Sequence, residues 1–518
     1  MDGGTRQEEM AERLKREVRE RSHRRREERS GSTTFELIVP GTHIDAMEAC
    51  PAAFPPPLQH GSDCTLTPKD GRTSIPFKRS DTILVVLYLE HLFPFLFPFY
   101  HPSLLQGGRA WILEMMFSSP VVRNATLCQS SYFLSLAQGA GDVVWKAVLM
   151  QTRDAFVVLR QALQVISGPG ISEHLHGAVR IMASIMQVQR FEITILSFEN
   201  CHAHLNAALA IFTQLLESTG AVEWEGPSES FNTVMERLGP SSWILPAQCV
   251  QVLSAEQAAF RFSSALLVLD DIIASTILQT KPGLYEYHRS LIGNIDGTPP
   301  PINLEAAMGC QNWVLLQVGE IAVLDEWKQR CKRAGNLDVM ELVGRATAIK
   351  DFLVARLMRL KIEPAPIPKE GSSLLDALGA DSSQSQRSFN QTSLVTSVWA
   401  HAALIYLFVV VSGWQPASVD LRYHVDLIIE LLTHQISPPA LLRTMVWPFC
   451  VAGCLAERTQ EAHFRGMVQA LQPPSVFGTV RKALEIMENV WRNRDAGDAA
   501  SRDLAMCFRS QGDLVLLV

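Results

Sequence analysis

Apolar residues recur every three or four positions along most of the chain after residue 80, which is the spacing of one face of an α-helix. No series of alternating strands and no fixed-period repeat accompanies this spacing. The pattern therefore predicts an all-α fold, a large array of antiparallel helices. The clearest examples are Phe198, Cys201, Leu205, Leu209, Phe212 and Leu216; Leu342, Ala346, Ile349, Leu353, Leu357 and Leu360; and Val480, Leu484, Met487 and Trp491.

Two further stretches are apolar on almost every side. Trp313–Leu324 has the composition of a helix buried between others. Leu394–Trp414 contains no Asp, Glu, Lys or Arg and a single histidine, His401, and at roughly 20 residues it is long enough to span a bilayer. No lysine or arginine cluster flanks it, so we interpret it as a core helix, with a membrane-anchored regulator as the alternative. Five tryptophans are expected to fix helix packing: Trp313, Trp327, Trp399, Trp414 and Trp447.

Charge and breaker residues divide the chain into segments. The first thirty residues hold ten Lys/Arg and eight Asp/Glu, whereas proline, glycine and threonine dominate the next fifty. One short strand-like piece, Phe35–Val39, interrupts the second segment. The predicted organisation is a basic charged helix at 1–30, a mostly disordered linker at 31–79, the main helical part at 80–360, a disordered loop at 361–391 and a C-terminal helical part at 392–518.

Composition narrows the functional class. Apolar residues make up 47% of the 518 residues and charged residues 19%, and the net charge is −7. Such a body has no overall positive field that would attract nucleic acid. The ten cysteines are scattered without a CxxC pair, and Cys450 and Cys454 stand at i,i+4 spacing with no third ligand nearby in the sequence. We therefore predict reduced, structural thiols, which are typical of the cytoplasm or nucleus.

Motifs for nucleotide or metal chemistry are incomplete. The chain has no GxxxxGK[ST], GxSxG or HExxH, and Gly139-Ala140-Gly141 supplies only two glycines of a dinucleotide motif after a helix. His202 and His204 stand two apart, so on a helix they point about 200° from each other and cannot share an ion. His174 and His176 have the same spacing.

The strongest enzyme-like feature is Asp270-Asp271 inside an apolar helix. Paired aspartates in an all-α protein are similar to the magnesium motif of terpene cyclases, so a magnesium-dependent lyase is the alternative function. That motif needs another carboxylate one turn further, where this chain has Ala274. We instead expect one aspartate to face solvent and the other to accept a hydrogen bond from an arginine or a helix end. Glu320, inside an apolar helix, is expected to have a buried donor and is a candidate ligand-facing residue.

The N-terminal run Arg24, Arg25 and Arg26 has two interpretations. It is either a solvated helical face or a nuclear-import signal that can also touch phosphates. The net charge of the first thirty residues is only about +2, which predicts weak DNA binding by this arm alone.

Several stretches, in order, resemble the regulatory region of fungal binuclear zinc-cluster transcription factors, the fungal-specific transcription factor domain. Together they cover roughly residues 80–510. The resemblance implies transcriptional regulation in the nucleus, response to effectors and contact with co-regulator proteins, with homodimerisation left open. The matching stretches are Asp81–Leu136, Leu266–Thr276, Gly309–Lys328, Val398–Pro416 and Val446–Glu457.

Members of this family also carry six cysteines that bind two zinc ions and read DNA, and these cysteines are missing here. We therefore expect no catalytic, cofactor or metal residues in this chain, and DNA recognition only through a zinc cluster encoded upstream. Met1 would then be an internal methionine of a longer reading frame.

Overall fold

The computed structural model describes residues 79–102, 107–138, 174–218, 227–239, 253–294, 299–362, 382–494, 502–509 and 514–518. The basic helix with Arg24, Arg25 and Arg26, the strand-like piece and the glycines at 139–141 lie outside these residues. The described part contains helices and connections but no strand, so the all-α prediction is confirmed.

The described residues form a succession of helices. In chain order they are α1 (Arg79–Leu87), α2 (Phe93–Leu96), α3 (Ala110–Ser118), α4 (Pro120–Ala137), α5 (Leu175–Thr194), α6 (Cys201–Glu217), α7 (Pro227–Arg237), α8 (Ala255–Leu278), α9 (Tyr285–Ile292), α10 (Glu305–Met308), α11 (Asn312–Ala334), α12 (Val339–Ile362), α13 (Ser382–Ser412), α14 (Val419–Glu430), α15 (Val446–Cys454), α16 (Glu461–Gln469), α17 (Gly478–Arg492) and α18 (Leu504–Arg509). A 3₁₀ helix, Pro439–Met445, precedes α15.

Helix α8 forms the centre of the body. Ser254 and Gln257 cap its first turn reciprocally, side chain to backbone, which satisfies two N–H groups that a helix start leaves open. Nearly every residue of α8 is buried, because α3, α5, α6, α11 and α18 pack around it. Arg261, near the start of α8, is exposed, but from Phe262 to Ile277 every residue is buried, so the charged residues in that stretch cannot reach solvent.

Helix α13 is the second buried axis and packs against α11, α12, α14 and α15. Trp399 in its centre stacks on Trp447 of α15, with ring centroids 5.4 Å apart and an interplanar angle of 11°. The Trp447 indole N–H donates to the Thr276 hydroxyl on α8 at 3.0 Å. Trp399 and Trp447, two of the five predicted packing tryptophans, therefore connect α13, α15 and α8 into one core.

The remaining three tryptophans pack nearer the surface. Trp313 and Trp327 are half-buried, and the Trp327 ring lies 4.5 Å below the guanidinium of Arg345. Trp414 is buried and lies under Arg502 at 5.8 Å. All five tryptophans therefore contribute to helix packing, although only two of them lie in the innermost core.

The apolar segment that we interpreted as a core helix lies in a helix packed against others. Asn390–Ser412 has a mean hydropathy of 2.1, so length and composition alone would allow it to cross a membrane. Within the protein, however, 78% of its apolar window is buried against other helices. This burial is the environment predicted for a core helix, and it leaves no continuous apolar surface for lipid along that window.

Three predicted boundaries need correction. Helix α13 begins at Ser382, so the prediction of a disordered loop is wrong for residues 382–391. Residues 73–518 belong to one compact unit, which includes both predicted helical parts. Phe198 precedes α6 and Trp414 follows α13, because apolar residues just outside a helix can pack on the same core and extend its apparent period.

Candidate functional site

The aspartate pair of α8 is fully engaged by the protein itself. Asp270 is 0% exposed and accepts a hydrogen bond from the Gln189 side chain at 2.8 Å and a second, charge-assisted one from Arg190. Both donors come from α5. Burial raises the pKa of Asp270 to about 6, and the attraction of Arg190 opposes this rise.

Asp271 turns to a different neighbour. Its two carboxylate oxygens accept the backbone N–H groups of Gly283 and Leu284, each at 2.8 Å, and so hold the turn that leads into α9. The prediction that one aspartate faces solvent is therefore wrong: adjacent residues point about 100° apart, but α8 has neighbours in both directions. The predicted arginine and helix-end partners are both present.

No metal centre forms from the candidate residues. Among the residues that the structure describes, no group of three histidine, cysteine or acidic side chains is placed to hold an ion. His204 pairs with Glu192 at 3.1 Å, whereas His202 contacts Asn206 at 3.3 Å, so the two histidines point apart as predicted. Nothing in the described part of the chain reproduces the magnesium site of the alternative lyase function.

The cysteines are buried thiols in most of the described positions. Cys450 and Cys454 lie one turn apart in α15, and folding brings Cys507 of α18 to the same place, a proximity that sequence spacing could not show. The hydrogen bond between Cys454 and Cys450 raises the pKa of the Cys454 thiol well above its usual value, and burial adds to this rise. Raised pKa values at Cys454 and Cys507 keep these two thiols protonated and suit a structural role.

Glu320, the candidate ligand-facing residue, lies in the wall of a cleft between α9, α11 and α12 with a cavity volume of about 660 Å³. It accepts the Tyr285 hydroxyl at 2.9 Å and an N–H of Arg289 at 3.4 Å. A donor is thus present, but it is not the buried donor that was expected, because Tyr285 is half-buried and Arg289 is exposed. Each carboxylate oxygen of Glu320 accepts one hydrogen bond.

A second cavity lies deep between elements from both ends of the body, and we call it the Arg443 cavity. Its volume is about 110 Å³, and its walls come from the α2 region, α4, α5, α8, α13, the 3₁₀ helix and the start of α17. Most of the wall is apolar. Side chains that provide this apolar surface include Phe95, Phe97, Phe133, Leu266, Leu269 and Met308.

Arg443 is the distinctive residue of this cavity. Its guanidinium lies 4.0 Å from the ring centroid of Phe95, a cation–π contact in a partly desolvated place. Burial lowers the pKa of Arg443 to about 9. No aspartate or glutamate is among the described residues that line the cavity, although Val518, the last of the 518 residues, lines it. No acidic side chain in the described part of the chain forms an ion pair with Arg443, which is half-buried.

Two other wall residues carry buried N–H groups without a hydrogen-bond partner. One is the indole nitrogen of Trp399, and the other is Nε of Arg190, whose terminal nitrogen is held by Asp270. Sequence reasoning missed Arg443. The only signal was a single arginine within the apolar stretch Leu441–Val446, and such arginines are common where the charge simply reaches solvent.

Comparison with known families identifies the class of this helical body. A family model described as fungal specific transcription factor domain matches residues 84–516. The chain belongs to this family, as the resemblance predicted, and it is a transcriptional regulator. No solved structure matches it.

Curated relatives agree with this assignment. The chain is 34% identical over 480 residues to transcription factor dibT of Pestalotiopsis microspora, covering 90% of this chain and 74% of the relative. It is 26% identical over 426 residues to the trichothecene biosynthesis transcription regulator TRI10 of Trichoderma arundinaceum, covering 80% and 91%. The ustiloxin B cluster transcription factor ustR of Aspergillus flavus is 26% identical over 428 residues, covering 80% and 67%.

Proposed function

We propose that this protein is a nuclear regulator of one biosynthetic gene cluster, with its helical body as the part that receives signals and contacts co-regulator proteins. The observation that carries this proposal is the similarity to several regulators whose names tie them to the production of a single secondary metabolite. These alignments extend over most of the helical body, so the shared feature is the regulatory domain and not a short motif.

The proposal includes that the protein is not an enzyme and carries no cofactor. Its most enzyme-like residues, Asp270 and Asp271, already have full sets of protein partners. A magnesium site would need these carboxylates to release Arg190 and the turn before α9. Each release would leave buried donors unpaired at a substantial cost in free energy.

The test of the regulatory role is transcript profiling of the host after deletion of this gene. We expect a coordinated fall in the transcripts of one contiguous set of biosynthetic genes, restored by reintroducing the full chain. A matched control is reintroduction of an Asp270→Ala chain, which is expected to be unstable and to restore little. Unchanged transcripts from every biosynthetic cluster under producing conditions would contradict the proposal.

The nuclear part of the proposal assigns the import signal to Arg24, Arg25 and Arg26. Replacing all three by alanine in a fluorescently tagged full chain should move the protein from nucleus to cytoplasm. The matched control is the triple replacement of Arg13, Arg16 and Arg19, which removes the same charge from the same segment without breaking the contiguous run. Equal loss of nuclear signal in both variants would show that total charge, not this run, directs import.

Recognition of DNA is proposed to require zinc-binding cysteines beyond these 518 residues, since the chain has no CxxC pair. The purified chain should bind duplex DNA weakly and without sequence preference. Such binding depends on phosphate contacts that release counterions from the DNA, so added salt weakens it. The binding should therefore disappear at moderate salt. A gel shift that selects one sequence at physiological salt would overturn this part.

A further inference from the structure

The cleft between α9, α11 and α12, which we call the Glu320 cleft, contains a buried amide group without a partner. Gln317 of α11 lines this cleft and is only 9% exposed. Its side chain forms no hydrogen bond with any residue that the structure describes. Because a buried amide without partners costs free energy, a ligand in the cleft that offers it a donor and an acceptor would recover that cost.

A neighbouring amide of the same wall is fully engaged. The Asn312 side chain donates to the backbone oxygens of Ile292 and Ile302 at 3.0 and 2.7 Å. Its own oxygen accepts the backbone N–H of Leu304 at 2.8 Å. Asn312 therefore fixes the connection between α9 and α10 against the start of α11, so the wall is held in place without any hydrogen bond from Gln317.

Two aromatic rings form an apolar corner in the cleft. The ring centroids of Trp313 on α11 and Phe352 on α12 lie 6.3 Å apart, and the ring planes are inclined at 63°. The Trp313 indole N–H donates to the Gln311 side chain at 2.7 Å, which fixes the orientation of the ring. Phe352 is 37% exposed and so has free surface. An aliphatic side chain of a ligand can pack into this corner.

The charged residues of the cleft wall balance one another. Glu320 pairs with Arg289 at 3.4 Å. Glu305 and Arg356 are half-buried and have no ion-pair partner among the described residues. The wall thus carries two negative and two positive charges and has no net field that would attract an anion or a cation. A ligand without net charge suits it.

The size of the cleft limits the ligand to a small molecule. Its volume of about 660 Å³ falls within the range of roughly 300–1,000 Å³ that is usual for sites of small-molecule ligands. A molecule with two amino-acid residues and blocked ends fits this space. Such a molecule also has the amide groups and the aliphatic side chains that the wall can recognise.

We propose that the Glu320 cleft binds a small, uncharged, peptide-like amide and that this ligand is an effector of the regulator. Gln317 hydrogen-bonds an amide group of the ligand, and the corner formed by Trp313 and Phe352 holds its aliphatic side chain. The binding site stands on the cleft itself, and only the effector role rests on the function proposed above. Because the ligand contacts both α11 and α12, its binding stabilises the folded chain.

The test uses the full chain with three probes. N-acetyl-leucyl-leucinamide at 10 mM should raise Tm by roughly 2 °C or more, and calorimetry should give a saturable one-site isotherm. N-acetyl-glycyl-glycinamide has the same amides without side chains and should leave Tm within 0.5 °C or so of the unliganded value. N-acetyl-leucyl-leucine carries one negative charge and should raise Tm no more than the uncharged compound does.

Three results would overturn the proposal. The first is the absence of a Tm shift with N-acetyl-leucyl-leucinamide. The second is an equal shift with the glycine compound, since the aromatic corner would then play no part. The third is a larger shift with the charged compound, because the cleft would then select an anion.

A variant of the free amide locates the binding. Gln317→Leu should weaken binding of N-acetyl-leucyl-leucinamide at least about tenfold, because the ligand loses its hydrogen bonds with the amide. Since Gln317 has no protein partner, the unliganded variant should keep or exceed the wild-type Tm, which a structural role would not allow. Gln329→Leu is the matched control, on the same helix but outside the cleft wall, and should bind as the wild type does. Equal weakening in both variants would place the site elsewhere.

A second variant changes the apolar corner and retains the amide. Phe352 is exposed, so Phe352→Ala should fold, and it should weaken binding about fivefold or more. Met358→Ala is the control, because Met358 is 61% exposed on the same helix and does not line the cleft. Its affinity should equal that of the wild type. Wild-type affinity in Phe352→Ala would contradict the assignment, even if Gln317→Leu fails to fold.

Transcript profiling separates this inference from the proposed function. If Gln317→Leu folds, loses binding and alters the transcripts of the cluster that depends on the protein, both ideas hold. If the wild type binds the probe but no cluster depends on the protein, the site stands and the proposed function fails. If transcripts depend on the protein but the wild type does not bind the probe, only this inference fails. Wild-type transcripts in a folded Gln317→Leu host would overturn the effector role.

Discussion

Two charged regions of this protein differ in how their charges are satisfied. The carboxylates of Asp270 and Asp271 each have two protein donors at hydrogen-bonding distance. Arg443 is half-buried in the wall of the Arg443 cavity, where its guanidinium lies over the ring of Phe95 and has no ion-pair partner among the described side chains. A fully buried charge needs protein partners and then holds the fold, whereas a half-buried charge can be satisfied by solvent.

The largest expected effect comes from breaking the better satisfied region. Asp270→Ala leaves the buried side chain of Arg190 without its counter-charge, so the free energy of unfolding should fall by about 3–5 kcal/mol. Urea denaturation at pH 7 measures this change. Asp351→Ala, at an exposed position of α12, is the control and should change the stability by less than about 0.5 kcal/mol. A similar small loss in both variants would remove the distinction between the two regions.

Removing the other carboxylate should cost somewhat less, because its partners are neutral. Asp271→Ala leaves the N–H groups of Gly283 and Leu284 without an acceptor, and stability should fall by about 2–3 kcal/mol. Hydrogen exchange of these two amides should accelerate more than exchange in the core of α13. Asp271→Asn retains one acceptor oxygen and should lose about half as much; full stability in the alanine variant would contradict the assigned role.

A contact between two histidines sharpens the comparison through the pH dependence of His424, which is half-buried. The Nδ1 atoms of His401 and His424 lie 3.0 Å apart, and burial lowers the pKa of His424 to about 4. The folded protein therefore binds fewer protons than the unfolded chain between about pH 4 and 6.5. The free energy of unfolding is unaffected by His424 above pH 6.5, and it decreases as the pH falls from 6.5 towards 4. Over this pH range, we expect the free energy of unfolding of the wild type to fall by about 2 kcal/mol more than that of His424→Asn.

The measurement is urea denaturation of the wild type and of His424→Asn at pH 7 and pH 4.5, which cancels the titration of all other groups. Parallel loss of stability in both proteins would show that His424 does not titrate in this range.

The smallest expected effect has the opposite sign. Arg443→Met removes a half-buried charge that has no ion pair among the described side chains, and it loses the contact with the Phe95 ring, so the free energy of unfolding should rise by no more than about 1 kcal/mol. Arg345→Met removes a ring contact and an ion pair at the surface, so the free energy of unfolding should fall by about 0.5 kcal/mol. Thermal and urea unfolding at pH 7 check both. A loss of more than about 1 kcal/mol in Arg443→Met would mean that the cation is structurally satisfied.

Most of the helical architecture could be predicted from the sequence, because periodicity depends on local geometry. The apolar spacing in α6, α12 and α17 predicted those helices. The donor types for Asp270 and Asp271 were also predictable, since a buried carboxylate needs an arginine or backbone N–H groups. The spacing of apolar residues in the sequence could not predict how many helices pack around α8.

The tertiary structure alone decided that both aspartates are buried, that α13 begins at Ser382 and that Arg443 faces a cavity. The sequence by itself determined the fold class, the core character of residues 394–412 and the family of the protein, because each of these is encoded in patterns along one stretch of chain. The Arg443 cavity joins residues from Phe95 to Val518, and no local pattern records which distant side chains meet. Whether a buried charge finds a partner depends on that meeting, so only the folded chain separates a charge that holds the fold from one that solvent satisfies.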